Sequence, residues 1–211
     1  MISVLIVDDH NLTRTIIRSL LEPNKDIEVI GEAKTGEEAI QLTQGLKPQI
    51  ILMDVQMPGI GGLETTHRLL RANPYLKIII LTAYENGPFP SGFVRAGAAG
   101  YLTKKTSAEE LAEAIHTVFA GHSYITPLIA QQLALSQIFA ANNSPLNLLT
   151  ERELQIMWMT TKGFAVDIMA TQLHLSTKTI NTYRYRLFDK LNVRNDVELT
   201  HLAVRCGMLD D

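Results

Sequence analysis

The chain is poor in cysteine, in aromatic residues and in long apolar segments. Its single cysteine, Cys206, excludes an internal disulfide and is typical of a reducing compartment. Its apolar runs, such as IIIL at 78–81, are far too short to cross a bilayer. The opening MISVLIVDDH lacks the basic region and the small-residue cleavage site of a signal peptide. These absences predict a cytoplasmic protein without a membrane segment.

The chain also lacks a strong excess of either charge. Its net charge is −3, and 46% hydrophobic with 19% charged residues is the composition of an ordinary globular protein. A length of 211 residues allows two small domains. One stretch, 177–194, is locally basic, with Asp189 opposed by Lys178, Arg184, Arg186, Lys190 and Arg194. This pattern is compatible with nucleic-acid binding, although a basic helix face is more often simply solvated.

The first 120 residues alternate short apolar runs with amphipathic helical segments. We expect five strands, at 2–7, 27–31, 50–53, 77–82 and 99–102. Unbroken apolar runs are typical of strands that are buried on both faces, and the helical connections require right-handed crossovers. The pattern therefore predicts an α/β fold with a doubly wound, five-stranded parallel sheet.

The pattern changes near residue 120. Residues 121–147 are interpreted as a linker that contains one short helix, at about 128–139, and no further strand. The polar part of this linker, AANNSPLN, is expected to be exposed. Residues 148–211 are helical in pattern throughout, which predicts an all-α domain after the α/β domain of residues 1–120.

Acidic and polar residues follow the predicted strands at the edge of the sheet where ligands bind in open α/β folds. Asp8 and Asp9 end the first strand, Asp54 the third and Thr82 the fourth, and Lys104 follows the fifth. Three carboxylates gathered at one edge repel one another unless a cation joins them. Hard oxygen ligands with room for water favour Mg²⁺, so we predict a magnesium site.

The same residues have the composition of a phosphoryl-transfer site. Asp54 is the candidate nucleophile, and Lys104 supplies a second cation beside Mg²⁺ for the phosphoryl oxygens. Thr82 places a hydroxyl that can donate to a phosphate oxygen, and Gln56 can offer its backbone carbonyl to the metal. Each residue alone could be a helix cap or a surface charge, but the joint pattern at successive strand ends favours a phosphoacceptor site.

Four segments of residues 1–120 resemble bacterial response-regulator receivers: VLIVDDH (4–10), ILMDVQMPGIGG (51–62), ILTAY (80–84) and GAAGYLTK (97–104). The resemblance implies a flavodoxin-like fold in which a sensor histidine kinase phosphorylates Asp54. It also implies that Asp8 and Asp9 are metal-site acids and that Thr82 and Tyr101 form a switch pair. Many receivers have proline where this chain has Lys105, which leaves open whether the preceding peptide bond is cis.

The C-terminal region has the pattern of a helix-turn-helix. Ser176 can cap a long helix on which Ile180, Leu187 and Leu191 form one apolar stripe. The opposite face is polar, which suits a helix lying in a DNA major groove. Predicted base contacts are Asn181, Thr182 and Tyr185, and predicted phosphate contacts are Lys178, Thr179, Tyr183, Arg184 and Arg186. The alternative, on pattern alone, is a helical module that binds other proteins.

This region resembles the LuxR-type helix-turn-helix in LTERELQIM, LSTKTINTYRYRLFDKL and VELTHLAV. With the receiver, the whole chain resembles the NarL/FixJ response regulators, and TYRYRLFDKLNVRNDVELTHLAV narrows the resemblance to the GacA/UvrY/LetA group. That group implies a BarA-type hybrid sensor kinase as partner and promoter DNA of small regulatory RNA genes as target.

Two expectations follow about assembly and catalysis. Because one such domain buries little DNA surface, we expect a homodimer when the receiver is phosphorylated. We expect the protein to be no enzyme for external substrates, because the acidic residues are accompanied by no further general base and no substrate-pocket motif.

Overall fold

A computed structural model describes residues 1–83, 90–127, 129–131, 133–134, 145–173, 175–206 and 208–209. The chain divides into two compact units, one formed by Met1–Glu85 and Gly92–Ala130, the other by Asn86–Ser91 and Gln131–Asp211. The first unit therefore continues beyond the boundary expected at residue 120. None of the helices in the described ranges combines the length and the hydropathy that a membrane span requires.

The first unit contains a parallel β-sheet with helical connections. The strands are β1 (Ile2–Val7), β2 (Ile27–Ala33), β3 (Ile50–Asp54), β4 (Lys77–Thr82), β5 (Gly100–Thr103) and β6 (Tyr124–Ile125). The helices between and after these strands, up to residue 119, are α1 (Asn11–Leu21), α2 (Gly36–Leu46), α3 (Gly61–Ala72), α4 (Pro90–Ala96) and α5 (Ala108–Phe119). The strand order is β2-β1-β3-β4-β5-β6, so the predicted doubly wound α/β fold with its first five parallel strands is confirmed.

The sixth strand corrects the expectation that no strand follows residue 120. β6 lies at the edge of the sheet and pairs Tyr124 with Gly100 and Ile125 with Tyr101. Two residues are too few to produce the apolar run or the alternation by which a strand is recognised in a sequence. Of the short helix expected at 128–139, residues 129–131 and 133–134 are helical, whereas 135–139 and the AANNS stretch lie outside the described residues.

The core of the sheet is formed by strands that are buried on both faces. All five residues of β3 are buried, and so are all of β4 except Lys77. The strands are also in register at their carboxyl ends, where Val7 pairs with Met53, Asp54 with Leu81, and Thr82 with Thr103. The residues that end β1, β3, β4 and β5 therefore arrive at one edge of the sheet.

The second unit is helical, as predicted. A 3₁₀ turn, Pro145–Leu148, precedes α6 (Glu151–Thr161), α7 (Val166–Gln172), α8 (Thr177–Leu191) and α9 (Asp196–Arg205). Thr150 and Glu153 form a reciprocal capping box at α6, and the Ser176 hydroxyl accepts from the backbone N–H of Thr179 at the start of α8. The stripe of Ile180, Leu187 and Leu191 is buried, so the predicted core face of α8 is confirmed.

Candidate functional site

Three carboxylates meet at the carboxyl edge of the sheet. The side chains of Asp8, Asp54 and Asp9 are 2%, 3% and 11% exposed. Ligand atoms of these three residues and of His10 all lie within 4.8 Å of one another. Gathering buried carboxylates this closely is costly unless positive charge compensates them. The oxygen-rich donor set fits Mg²⁺, as predicted for this edge.

Lys104 provides part of that compensating charge. Its Nζ lies 2.6 Å from Asp8 Oδ2 and 3.0 Å from Asp54 Oδ2. The chain is directed there because the backbone N–H of Lys104 continues the pairing of β5 with β4, donating to the Thr82 carbonyl at 2.7 Å. Burial alone would lower the pKa of Lys104, but the carboxylates of Asp54 and Asp8 outweigh it and raise that pKa. The lysine is therefore held in its charged form.

The charge of Lys104 does not fully offset the effect of burial on Asp54. Burial raises the pKa of Asp54 to about 7, although Lys104 acts in the opposite direction, and the charge of Asp8 raises it further. The backbone N–H of Gln56 partly offsets this effect by donating to the Asp54 carboxylate. A bound divalent cation reverses such a shift by stabilising the ionised form. The electrostatics of Asp54 thus agree with the donor chemistry in favouring a metal ion beside Lys104.

The predicted switch residues flank the cluster on neighbouring strands. Thr82, the last residue of β4, is 0% exposed, and Tyr101 of β5 is 1% exposed. The Tyr101 ring packs edge-to-face on Phe93, with centroids 6.1 Å apart and an interplanar angle of 67°. The tyrosine is therefore turned inward in this structure. The peptide bond after Lys104 is trans, like every other one in the described ranges.

Sequence reasoning assigned no role to two residues that lie against the acidic cluster. His10 is 69% exposed, with Nδ1 2.8 Å from Asp9 Oδ1. Arg14 is buried, and its Nη1 donates to the Asp8 carbonyl at 2.8 Å. The signal for Arg14 was present, because it lies at i and i+3 spacing with Ile17, on the face of α1 that faces the core. A charged residue on the buried face of a helix is unusual, so Arg14 could have been singled out from the sequence.

The predicted DNA contacts on α8 differ in accessibility. Lys178, Thr182, Tyr185 and Arg186 are exposed, whereas Thr179, Asn181, Tyr183 and Arg184 are half-buried. Tyr185 alone exposes 68% of its surface. The exposed members are the residues that a nucleic-acid backbone or base edge can reach without rearrangement of the helix.

Arg184 is already held by an ion pair within the helical unit. Its Nη2 donates to both carboxylate oxygens of Asp196, at 2.7 and 2.5 Å, and its Nη1 donates to Asn181 Oδ1 at 3.4 Å. Lys190 is held in a similar way, 2.7 Å from Glu153 Oε2. A DNA phosphate would therefore compete with Asp196 for Arg184, which the local sequence of α8 could not reveal.

The identity of the chain follows from comparison with known proteins. Residues 4–116 match the family model of the response regulator receiver domain, and residues 147–203 match that of bacterial regulatory proteins of the luxR family. The chain belongs to the LuxR-type response regulators. The prediction of a two-component response regulator that controls transcription through a C-terminal DNA-binding domain is confirmed.

Two relatives support the same family over nearly the full length, and a solved structure supports it over part of the chain. Response regulator GacA of Pseudomonas protegens is 50% identical over 210 residues, covering 100% of this chain and 99% of the relative. Response regulator UvrY of Escherichia coli K12 is 51% identical over 209 residues, covering 99% and 96%. A LuxR-family regulator from Aurantimonas is 34% identical, with a TM-score of 0.61, over 64% of this chain and 97% of its own.

A structure of the response regulator RcsB bound to DNA is also similar. It is 25% identical to this response regulator, with a TM-score of 0.60, and the match covers 96% of this chain and 98% of that chain. The predicted resemblance to GacA and UvrY and the predicted fold class are therefore confirmed.

The pairing of Arg184 with Asp196 leads to a first testable prediction. The substitution Asp196→Asn removes the carboxylate that holds the guanidinium, so Arg184 becomes available to a DNA phosphate. We expect tighter DNA binding by about five-fold and a salt dependence steeper by about 0.9 per subunit. Fluorescence anisotropy across a salt series measures both quantities.

The matched control is Asp167→Asn, which removes the same charge from the first turn of α7. Loss of a favourable helix-dipole interaction is then common to both variants. If both variants change DNA affinity equally, the effect arises from net charge and not from Arg184.

Proposed function

We propose that phosphorylation of Asp54 switches this response regulator and that the phosphorylated form binds promoter DNA as a homodimer through α8. The observation that carries the proposal is the environment of the Asp54 carboxylate. It is 3% exposed, lies 3.0 Å from Lys104 Nζ and shares an edge of the sheet with Asp8 and Asp9. A carboxylate fixed beside cations can attack a phosphoryl group while the charge on the incoming oxygens is neutralised.

The roles of the other site residues follow from their positions. Asp8, Asp9 and Asp54, with the backbone carbonyl of Gln56, would hold Mg²⁺, which supplies positive charge for the phosphoryl oxygens. In this structure Lys104 bridges Asp8 and Asp54. After phosphorylation its ammonium group would donate a hydrogen bond to a phosphoryl oxygen.

The output of the switch is proposed to pass through Thr82 and Tyr101. The Thr82 hydroxyl would donate to the phosphate, whose charge of roughly −1.5 to −2 is the largest local change in the site. Tyr101 pairs with Ile80, which is two residues before Thr82 and therefore on the same face of β4. A movement of Thr82 toward the phosphate thus changes the space beside Tyr101. This coupling would alter the surface around β5 and its neighbours.

The partners are proposed from the family. Identities of 50% with GacA and 51% with UvrY over nearly the whole chain support a BarA-type hybrid sensor kinase upstream and small regulatory RNA genes downstream. We also propose that the protein turns over no external substrate, because its acidic site serves its own phosphorylation. A cytoplasmic location is proposed, since a transcription regulator must reach the chromosome.

The experiment that tests the switch compares the wild type with Asp54→Asn. Each protein is mixed with labelled promoter DNA and Mg²⁺ at fixed salt, with and without a small-molecule phosphodonor, and anisotropy and mass are measured together. We expect the phosphodonor to drive dimerisation of the wild type and to tighten its DNA binding by about ten-fold, within the usual range of allosteric coupling. Asp54→Asn should respond in neither measurement.

The control is Asp26→Asn, the same chemical change at a residue that is 61% exposed. It should respond to the phosphodonor like the wild type. Equal DNA binding by all proteins under all conditions would show that the receiver does not control DNA affinity.

A further inference from the structure

Arg14 is a buried arginine of the receiver that belongs to no predicted site. It is 2% exposed and lies on the face of α1 that also buries Ile17 and Leu21. Burying a guanidinium is unfavourable unless its N–H groups are matched by acceptors, because the group leaves its hydration shell behind. The groups that accept hydrogen bonds from Arg14 therefore indicate its role in the receiver.

The hydrogen bonds of Arg14 connect three parts of the receiver. Nη1 donates to the backbone carbonyl of Asp8 at 2.8 Å, in a buried position. Nε donates to Glu32 Oε2 at 3.0 Å, and Nη2 donates to Asn11 Oδ1 at 2.8 Å. The guanidinium thus joins the end of β1 to the end of β2 and to the first turn of α1.

These contacts fix the backbone of Asp8 from two sides. Its carbonyl accepts from Arg14, and its N–H donates to the Ala33 carbonyl at 3.1 Å. The carboxylate of Asp8 is in turn 2.6 Å from Lys104 Nζ. The direction of the Asp8 carboxylate therefore depends on a peptide group that Arg14 holds. Without the arginine, the buried carbonyl of Asp8 would lose its side-chain donor.

We infer that Arg14 is a positioning residue for the acidic cluster, which orients Asp8 and Asp9 for a divalent cation without contacting the cation itself. The inference rests on the proposed function, because it assumes that these carboxylates hold Mg²⁺. Outer partners that orient metal ligands typically change metal affinity by about 10- to 100-fold when they are removed.

Arg14 shares its carboxylate partner with a second arginine. Glu32 pairs with Arg14 and also with Arg18, whose Nε and Nη2 donate to Oε1 at 2.8 and 2.7 Å. Burial would raise the pKa of Glu32, but the hydrogen bonds from Arg18 and Arg14 outweigh it and lower that pKa, so Glu32 stays ionised. Glu32 therefore accepts a charge-assisted hydrogen bond from Nε of Arg14.

The neighbouring arginine provides a matched control. Arg18 binds the same carboxylate as Arg14, but its contacts with Glu32 leave Asp8 untouched. It is also 43% exposed, so its replacement leaves no large cavity. Arg18→Gln therefore separates a loss of the Glu32 ion pair from a loss of the contact with Asp8.

The test measures Mg²⁺ affinity and thermal unfolding of the full chain, without phosphodonor. Mg²⁺ alone is titrated calorimetrically into the wild type, Arg14→Lys and Arg18→Gln, and unfolding temperatures are recorded without Mg²⁺. Arg14→Lys keeps the charge but cannot serve Asp8, Asn11 and Glu32 together. We expect it to weaken Mg²⁺ binding by about ten-fold, whereas Arg18→Gln stays within about two-fold of the wild type.

Either of two results with these proteins would overturn the inference. Lower unfolding temperatures for both variants with unchanged Mg²⁺ affinity would mean that Arg14 only stabilises the fold. A wild type that binds no Mg²⁺ would remove the premise of the inference.

If Arg14→Lys does not fold, Asn11→Ala replaces it. That substitution removes an exposed acceptor of Arg14 and should weaken Mg²⁺ binding by about three-fold, at the low end of such effects, so unchanged binding would also contradict the inference.

Failure of the proposed function gives a different result. In that case the wild type would ignore the phosphodonor in the DNA-binding experiment, while the dependence of Mg²⁺ affinity on Arg14 remained.

Discussion

Replacing Lys178 and Arg186 together by glutamine should weaken DNA binding about 30-fold for each bound subunit at roughly 0.15 M salt, with each lost phosphate contact contributing about 5.5-fold. Both side chains are exposed on α8, and neither is in an ion pair with another described residue. Lys178 and Arg186 can therefore bind DNA phosphates without breaking an ion pair within the helical unit. Arg184 and Lys190 are left unchanged because Asp196 and Glu153 hold them.

The salt dependence is the sharper measurement of this variant. A phosphate contact releases counterions, so the slope of log affinity against log salt should fall by about 0.9 for each contact removed, or about 1.8 for both in one subunit. Anisotropy titrations at several salt concentrations give this slope. Because such contacts are independent of sequence, specific and non-specific DNA should lose affinity together.

The double variant Lys162→Gln and Arg205→Gln removes the same net charge from exposed positions outside α8. It should leave the salt slope within experimental error of the wild type. If the α8 variant behaves like this control, Lys178 and Arg186 do not contact DNA phosphates.

The second large effect is expected for Gly62→Ala, which should destabilise the receiver by about 3 kcal/mol. A Cβ added at Gly62 would lie 2.0 Å from the backbone carbonyl oxygen of Asp54. That oxygen belongs to the end of a fully buried strand and cannot move as a flexible side chain could. The start of α3 must therefore shift away from β3, which also displaces the Asp54 carboxylate.

Hydrogen exchange of the β3 amides measures this loss, because it reports the free energy of opening of the sheet separately from the helical unit. Gly45→Ala is the matched control. A Cβ at Gly45, inside α2, meets nothing within 4 Å. It should stabilise the receiver by about 0.5–1 kcal/mol, because alanine is a better helix former than glycine. The same substitution thus has opposite signs at the two positions, and equal effects would contradict the steric argument.

The acidic site could be predicted from the sequence because a parallel sheet has a simple geometry. Once each apolar run is taken as a strand, the residues that follow the runs must meet at one edge. Asp8, Asp54 and Lys104 are brought together in this way. Helix starts were also predictable, since a capping box such as that of Thr150 and Glu153 is encoded within four consecutive positions.

The features that escaped prediction depend on pairs that are distant in sequence. The contact of Arg14 with Glu32 joins a helix to a strand, and that of Arg184 with Asp196 joins two helices. No periodicity or local spacing specifies either pair, because each follows from how packed elements place their side chains. The strand β6 was missed for another reason, since its two residues gain their conformation from pairing with β5 and not from their own pattern.

The ion pairs of Lys104 with Asp8 and Asp54 also affect when the receiver can fold during synthesis. Asp8, Asp9 and Asp54 all leave the ribosome before the lysine that joins Asp8 to Asp54. A nascent chain that ends before β5 holds the acids without this cation, and its β4 has no partner on the side that β5 later covers. We therefore expect the sheet to form cooperatively only when β5 and Lys104 have emerged, because β5 pairs with β4 and Lys104 supplies the missing positive charge.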